Sequence, residues 1–119
     1  MAQYEDITID QGADVALEIH LMEVDGSTKD LSDHTVTAQL KKTYNSDSDH
    51  TYDFNCMIPA PATDGIVILS LDNTLTDSLK SRRYVYDAEI SHFDSDGNQI
   101  VERFLEGQIN VNLSVTRIR

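Results

Sequence analysis

The chain has no tryptophan, one cysteine and two prolines in 119 residues, and only 9 basic residues against 21 acidic ones. Each scarcity excludes something. Without tryptophan there is no Cys-Trp-Cys core of the antibody type, and a sugar-binding aromatic platform loses its best residue. A lone cysteine, Cys56, cannot form an internal disulfide, and it fits assembly in a reducing cytoplasm. The shortage of Lys and Arg leaves a formal net charge of −12, a field that repels phosphate backbones and anionic lipid headgroups. Nucleic-acid and membrane partners are therefore not expected, and the pairs Lys41-Lys42 and Arg82-Arg83 read as solvated strand or loop ends. No apolar run reaches the ~18 residues that a membrane-crossing helix needs. The opening Met1–Asp6 lacks a basic region followed by an apolar core, so no secretory signal is expected. The glycosylation sequon Asn112-Leu113-Ser114 is then expected to be a chance match.

What the chain does have is alternation. Val15, Leu17, Ile19 and Leu21 alternate with Ala16, Glu18, His20 and Met22, which predicts a strand with one buried face. Asp25-Gly26-Ser27 predicts a turn, and Asp30–Asp33 a polar bend anchored by Leu31. Val36, Ala38 and Leu40 predict the next strand. Asn45–His50 carries no large apolar side chain and reads as a solvated hairpin loop. Tyr52, Phe54, Cys56 and Ile58 then share one face, until Pro59 and Pro61, which cannot donate ladder hydrogen bonds, stop the pairing. Gly65–Leu71 is nearly all apolar, as for a central strand covered on both faces. In Asp72–Lys80, a capping Asp72 or Asn73 and the Leu75/Leu79 pair predict one short helix crossing between sheets. Tyr84–His92 alternates again, and Asp94–Asn98 closes a hairpin with Gly97 free to take positive φ. The return strand Gln99–Glu106 breaks alternation near Val101–Arg103, which predicts a bulge or a strand covered on both faces. Gly107 predicts a kink before a last strand bearing Ile109, Val111, Leu113 and Val115. At the other end, Tyr4–Ile9 alternates only in its second half.

These seven to eight short strands, with turns about every dozen residues, predict an all-β fold. Residues 1–119 form one domain, a single antiparallel β-sandwich of immunoglobulin-like character with one short helical crossover.

Candidate chemistry is thin. Asp94-Ser95-Asp96-Gly97-Asn98 invites a calcium reading, but an EF-hand loop needs glycine at position 6 and glutamate at 12, where this segment has Gly97 at 4 and Leu105 at 12. It reads as a polar turn. Asp47, Asp49, His50 and Asp53 offer oxygen and imidazole ligands, yet acidic loops are common in so acidic a chain. His20, His34, His50 and His92 stand on separate elements with no metal-ligand spacing. Cys56, between Phe54 and Ile58 on one face, reads as a small core side chain. No nucleophile elbow, phosphate loop or dinucleotide fingerprint occurs. No catalytic, cofactor or metal residue is assigned, and an enzyme is not expected. Of Tyr84 and Tyr86, one is expected to make a corner-type hydrogen bond to the backbone, with Tyr86 and Ile90 in the core.

A resemblance supplies what the chemistry does not. Ile7-Thr8-Ile9-Asp10-Gln11-Gly12 is similar to the opening of small structural domains of tailed bacteriophages. So is the bend Asp30-Leu31-Ser32 followed by Val36-Thr37-Ala38-Gln39-Leu40-Lys41. Gly65–Leu71, Thr76–Leu79 and Tyr84-Val85-Tyr86-Asp87 follow in the same order, and Arg103–Gly107 and Val115-Thr116-Arg117 close the set. The resemblance implies an immunoglobulin-like virion protein of the tail, baseplate or fibre region. It would be present in several symmetry-related copies, assembled in the host cytoplasm and held by contacts with other virion proteins. Capsid decoration and a carbohydrate- or cell-surface-binding module are the alternatives, the latter disfavoured by an aromatic content of 7%. The family carries no catalytic residues to transfer.

Overall fold

In the computed structural model, residues 3–43 and 51–115 are described. They form β1 (Gln3–Tyr4), β2 (Ile7–Asp10), β3 (Val15–His20), β4 (Thr35–Lys41), β5 (Thr51–Asp53), β6 (Asn55–Met57), β7 (Ile66–Leu71), a helix α1 (Asn73–Ser78), β8 (Arg83–Phe93) and β9 (Gln99–Asn112). Two sheets face each other. One runs β1-β9-β8-β4-β5, with β2 also on β9, and the other runs β3-β7-β6. Taking β3 to β9 as strands B, C, C′, D, E, F and G gives a GFCC′ sheet over a BED sheet, the arrangement of an immunoglobulin-like sandwich. The expected all-β fold is observed. Its departure from antiparallel pairing lies at the start of the chain, where β1 and β2 run parallel to β9.

The core follows from the alternation. Val67, Leu69 and Leu71 of β7 meet Ala38 and Leu40 of β4, Tyr86 and Ala88 of β8, and Ile109 of β9, all buried. Leu31 holds the bend as a buried anchor, while the Ser32 amide and hydroxyl both donate to the Asp30 carboxylate. Those two bonds hold the Asp30 carboxyl below its ordinary value. The helix is capped by Asp72, whose side chain accepts from the Leu75 amide at 2.9 Å. It carries the chain from the three-stranded sheet to β8, as the sequence predicts.

Three local expectations are corrected and one is met. Tyr52–Ile58 is not one strand: β5 pairs with β4 in one sheet and β6 with β7 in the other, and the chain changes sheets at buried Phe54. Unbroken alternation survives because both edges face the same core. β7 is central, but only its inner face is fully buried, while Ile66, Ile68 and Ser70 are half-exposed. The expected bulge is present: the register shift lies between Ala88 and Glu89, opposite Leu105 and Arg103, so Phe104 is the extra residue. Finally, Gln99–Asn112 is one 14-residue strand running through Gly107, and it ends before Leu113 and Val115, which are 72% and 98% exposed. The Asn45–His50 loop lies outside the described residues.

Candidate functional site

The residues that carried chemical interest are mostly occupied with structure. In the 94–98 turn, the Asp94 carboxylate accepts from the amides of Asp96 and Asn98, both at 2.9 Å, so it serves the hairpin. Asp53 accepts from the Gln39 side chain at 2.7 Å across the β4–β5 pair. Asp47, Asp49 and His50 lie outside the described residues. Cys56 is half-buried with its thiol against the Phe54 carbonyl, and burial, reinforced by the Asp53 charge, pushes that thiol up from its ordinary value. It is a poor nucleophile. Arg82 lies over the Tyr84 ring, 5.6 Å from its centre.

The histidines are not all separate. His34 and His92 face each other with ring centres 4.6 Å apart. The β4–β8 register that pairs Thr35 with Ser91 brings their neighbours together, a relation visible only once the strand pairing is known. His34 Nδ1 lies 2.8 Å from the Ser32 carbonyl. His20 lies 3.5 Å from Glu18 on the outer face of β3. Among the described residues no group of three or more His, Cys, Asp or Glu side chains could hold a metal ion.

Both tyrosines are structural. Tyr84 donates to the Lys80 carbonyl and accepts from the Lys80 amide, each at 3.1 Å, the corner bond expected at the start of strand F. Tyr86 donates across the sheet to the Glu5 carbonyl at 2.8 Å. Burial, then the nearby Glu5 and Asp6 charges, push its hydroxyl up from 10 to about 12.

Of the surface hollows among the described residues, two bear on the sheets' charged and open sides. A shallow cleft of about 280 Å³ on the outer face of the larger sheet is lined by Gln39, Lys41, Asp87, Glu89 and Arg103. Its guanidinium is engaged, with Asp87 at 3.4 Å and Glu106 at 3.1 Å. The second surface is a groove of about 400 Å³ along one open side of the sandwich. One wall is β3, the edge strand of the smaller sheet, and the other is β1–β2 with Leu105 of β9. Alternation locates β3 but says nothing of its place in the sheet, so this edge was not legible as a site.

No protein-family model matches the chain, and no curated protein matches it by sequence. Among solved structures it is similar to AggA, the major subunit of aggregative adherence fimbriae type I from Escherichia coli. That match has 12% identity over 90% of this chain and 89% of the other, with a TM-score of 0.38. It is also similar to Tim-1, with 15% identity over 98% and 99% of the two chains and a TM-score of 0.41. The fold assignment rests on the strand order and register.

Proposed function

We propose that this chain is a non-enzymatic structural subunit of a tailed-phage particle, attached in the tail, baseplate or fibre region. The observation that carries this reading is the chain-long order of motifs from Ile7–Gly12 to the closing Val115-Thr116-Arg117, which resembles that of phage structural domains. Several of these motifs hold the sandwich together. Gln11 is buried and donates to the Leu79 carbonyl at 2.9 Å, and it accepts from the Ser114 amide, so the Gln-Gly opening ties the crossover to the end of β9. The Asp-Leu-Ser bend seats Leu31, and the Tyr-Val-Tyr stretch supplies the corner bond and the bond to Glu5.

The mechanism is surface complementarity. A face or edge docks on neighbouring virion proteins, while the acidic remainder keeps free copies apart until assembly. Antibody labelling of purified particles under the electron microscope tests the location. Label on the tail or its tip supports the reading. Label on the capsid shell would move the protein to a decorating role, and unlabelled intact and disrupted particles would overturn the reading.

A further inference from the structure

We propose that the free edge of β3 is a strand-addition site for an extended segment of a neighbouring protein, one that alternates apolar with basic side chains. The proposal rests on the reading of this chain as a docking subunit and names the edge and the chemistry of its partner.

Topology opens the edge. In a constant-type immunoglobulin sandwich the first strand belongs to the same sheet as strands B, E and D. Here the first strand, broken into β1 and β2, lies wholly on β9 in the opposite sheet, which leaves β3 at an edge. The Leu21 amide donates to Gly65 in register with the β3–β7 ladder. By alternation, the amides of Val15, Leu17 and Ile19 also face β7, and those of Ala16, Glu18 and His20 face outward. None of these three takes part in a backbone bond to another strand among the described residues. The edge is six residues long, about 20 Å at strand rise.

The other edges are less receptive. β5 and β6 have three residues each, Pro59 follows β6 closely, and the remaining edge is split into β1 and β2, of two and four residues. β3 has no proline, lysine or bulge to blunt it, and its one charged side chain is Glu18.

The groove beside β3 states what would fill it. Val15, Leu17 and Ile19 point into the sandwich yet stay half-buried, whereas their β7 partners Val67, Leu69 and Leu71 are fully covered. An incoming strand would finish covering them with every second side chain. The carboxylates lining the groove are Glu5 and Glu18, with His20 beside Glu18 at 3.5 Å, and no lysine or arginine lines it. The remaining side chains of the partner strand therefore meet carboxylates, which favours lysine or arginine there. A second copy of this chain is disfavoured, because antiparallel β3–β3 pairing centred on Glu18 opposes two carboxylates and brings two net charges of −12 together.

The probe is a synthetic eight-residue peptide alternating valine and lysine, with a peptide of the same composition in block order as control. Binding is followed by calorimetry and by residue-resolved hydrogen exchange of the protein. The alternating peptide is expected to bind more tightly, and the amides of Ala16, Glu18 and His20 to exchange roughly tenfold more slowly when it is bound. Ala16→Pro removes one outward amide at an edge position where proline is tolerated, and is expected to weaken binding roughly tenfold. Glu18→Lys, at an exposed position, weakens it by reversing the local charge and guards against a folding defect in the proline variant. Equal binding of the two peptides, protection on β5 or β6 instead, or both variants binding like the parent would overturn the proposal. So would self-association of the free protein through β3. Each result leaves the location of the protein in particles untouched, so failure here is distinct from failure of the functional reading.

Discussion

The Tyr86 hydroxyl donates to the Glu5 carbonyl at 2.8 Å, joining the middle of β8 to the break between β1 and β2 across 81 residues of sequence. The neighbouring Glu5 amide donates to Glu106 at 2.9 Å. The break between β1 and β2 is thus tied to both β8 and β9, and the first strand keeps one register along β9 on either side of it.

The raised Tyr86 hydroxyl makes a prediction in alkali. Its value in the fold is about 12 against an ordinary 10, so the fold favours the protonated form. Stability from this group is complete below pH 10 and declines as pH rises toward 12. Denaturant titrations across that range should show a steeper loss in the parent than in Tyr86→Phe. Parallel slopes would refute it.

Gly107 lies against the same break. A Cβ there would run into the Glu5 carbonyl oxygen, which is backbone and cannot swing aside. Gly107→Ala should cost about 2–3 kcal/mol and speed exchange of the Glu5 amide. A change below ~0.5 kcal/mol in chemical denaturation would show that the first strand is not held there.

The sequence made the strands legible because alternation is local, and it made α1 legible because Asp72 and the Leu75/Leu79 pair are local too. It could not separate β5 from β6, since Phe54 keeps the alternation while the chain changes sheets. It set Gly107 as a break between strands, although the glycine sits inside one strand and admits the Glu5 backbone from the link between β1 and β2. The pairing of His34 with His92 and the open side of β3 depend on register and strand order, which emerge from long-range packing.

Gln11 is the polar tie of the N-terminal half. Replacing it with alanine leaves the Leu79 carbonyl and the Ser114 amide without that partner. Gln11→Ala should lower stability by about 1–3 kcal/mol. Gln11→Glu should cost at least as much at neutral pH, because a carboxylate cannot donate to Leu79. Urea midpoints of the two variants check the order.

The Tyr84 corner bond should contribute about 0.5–1.5 kcal/mol, the range of a net intramolecular hydrogen bond. Tyr84→Phe keeps the ring buried under Arg82 and removes only the hydroxyl. Thermal unfolding should show a lowered Tm with unchanged β content. An unaltered Tm would mean that the Lys80 backbone groups are served equally well by water.

The central claim is that this chain is built into a particle. Mass-spectrometric counting on gradient-purified phage, with heads and tails separated, tests it most directly. The account predicts a fixed ratio of this chain to the major tail protein across independent preparations, concentrated in the tail fraction. Recovery from infected-cell lysate alone, with none in purified particles, would contradict it.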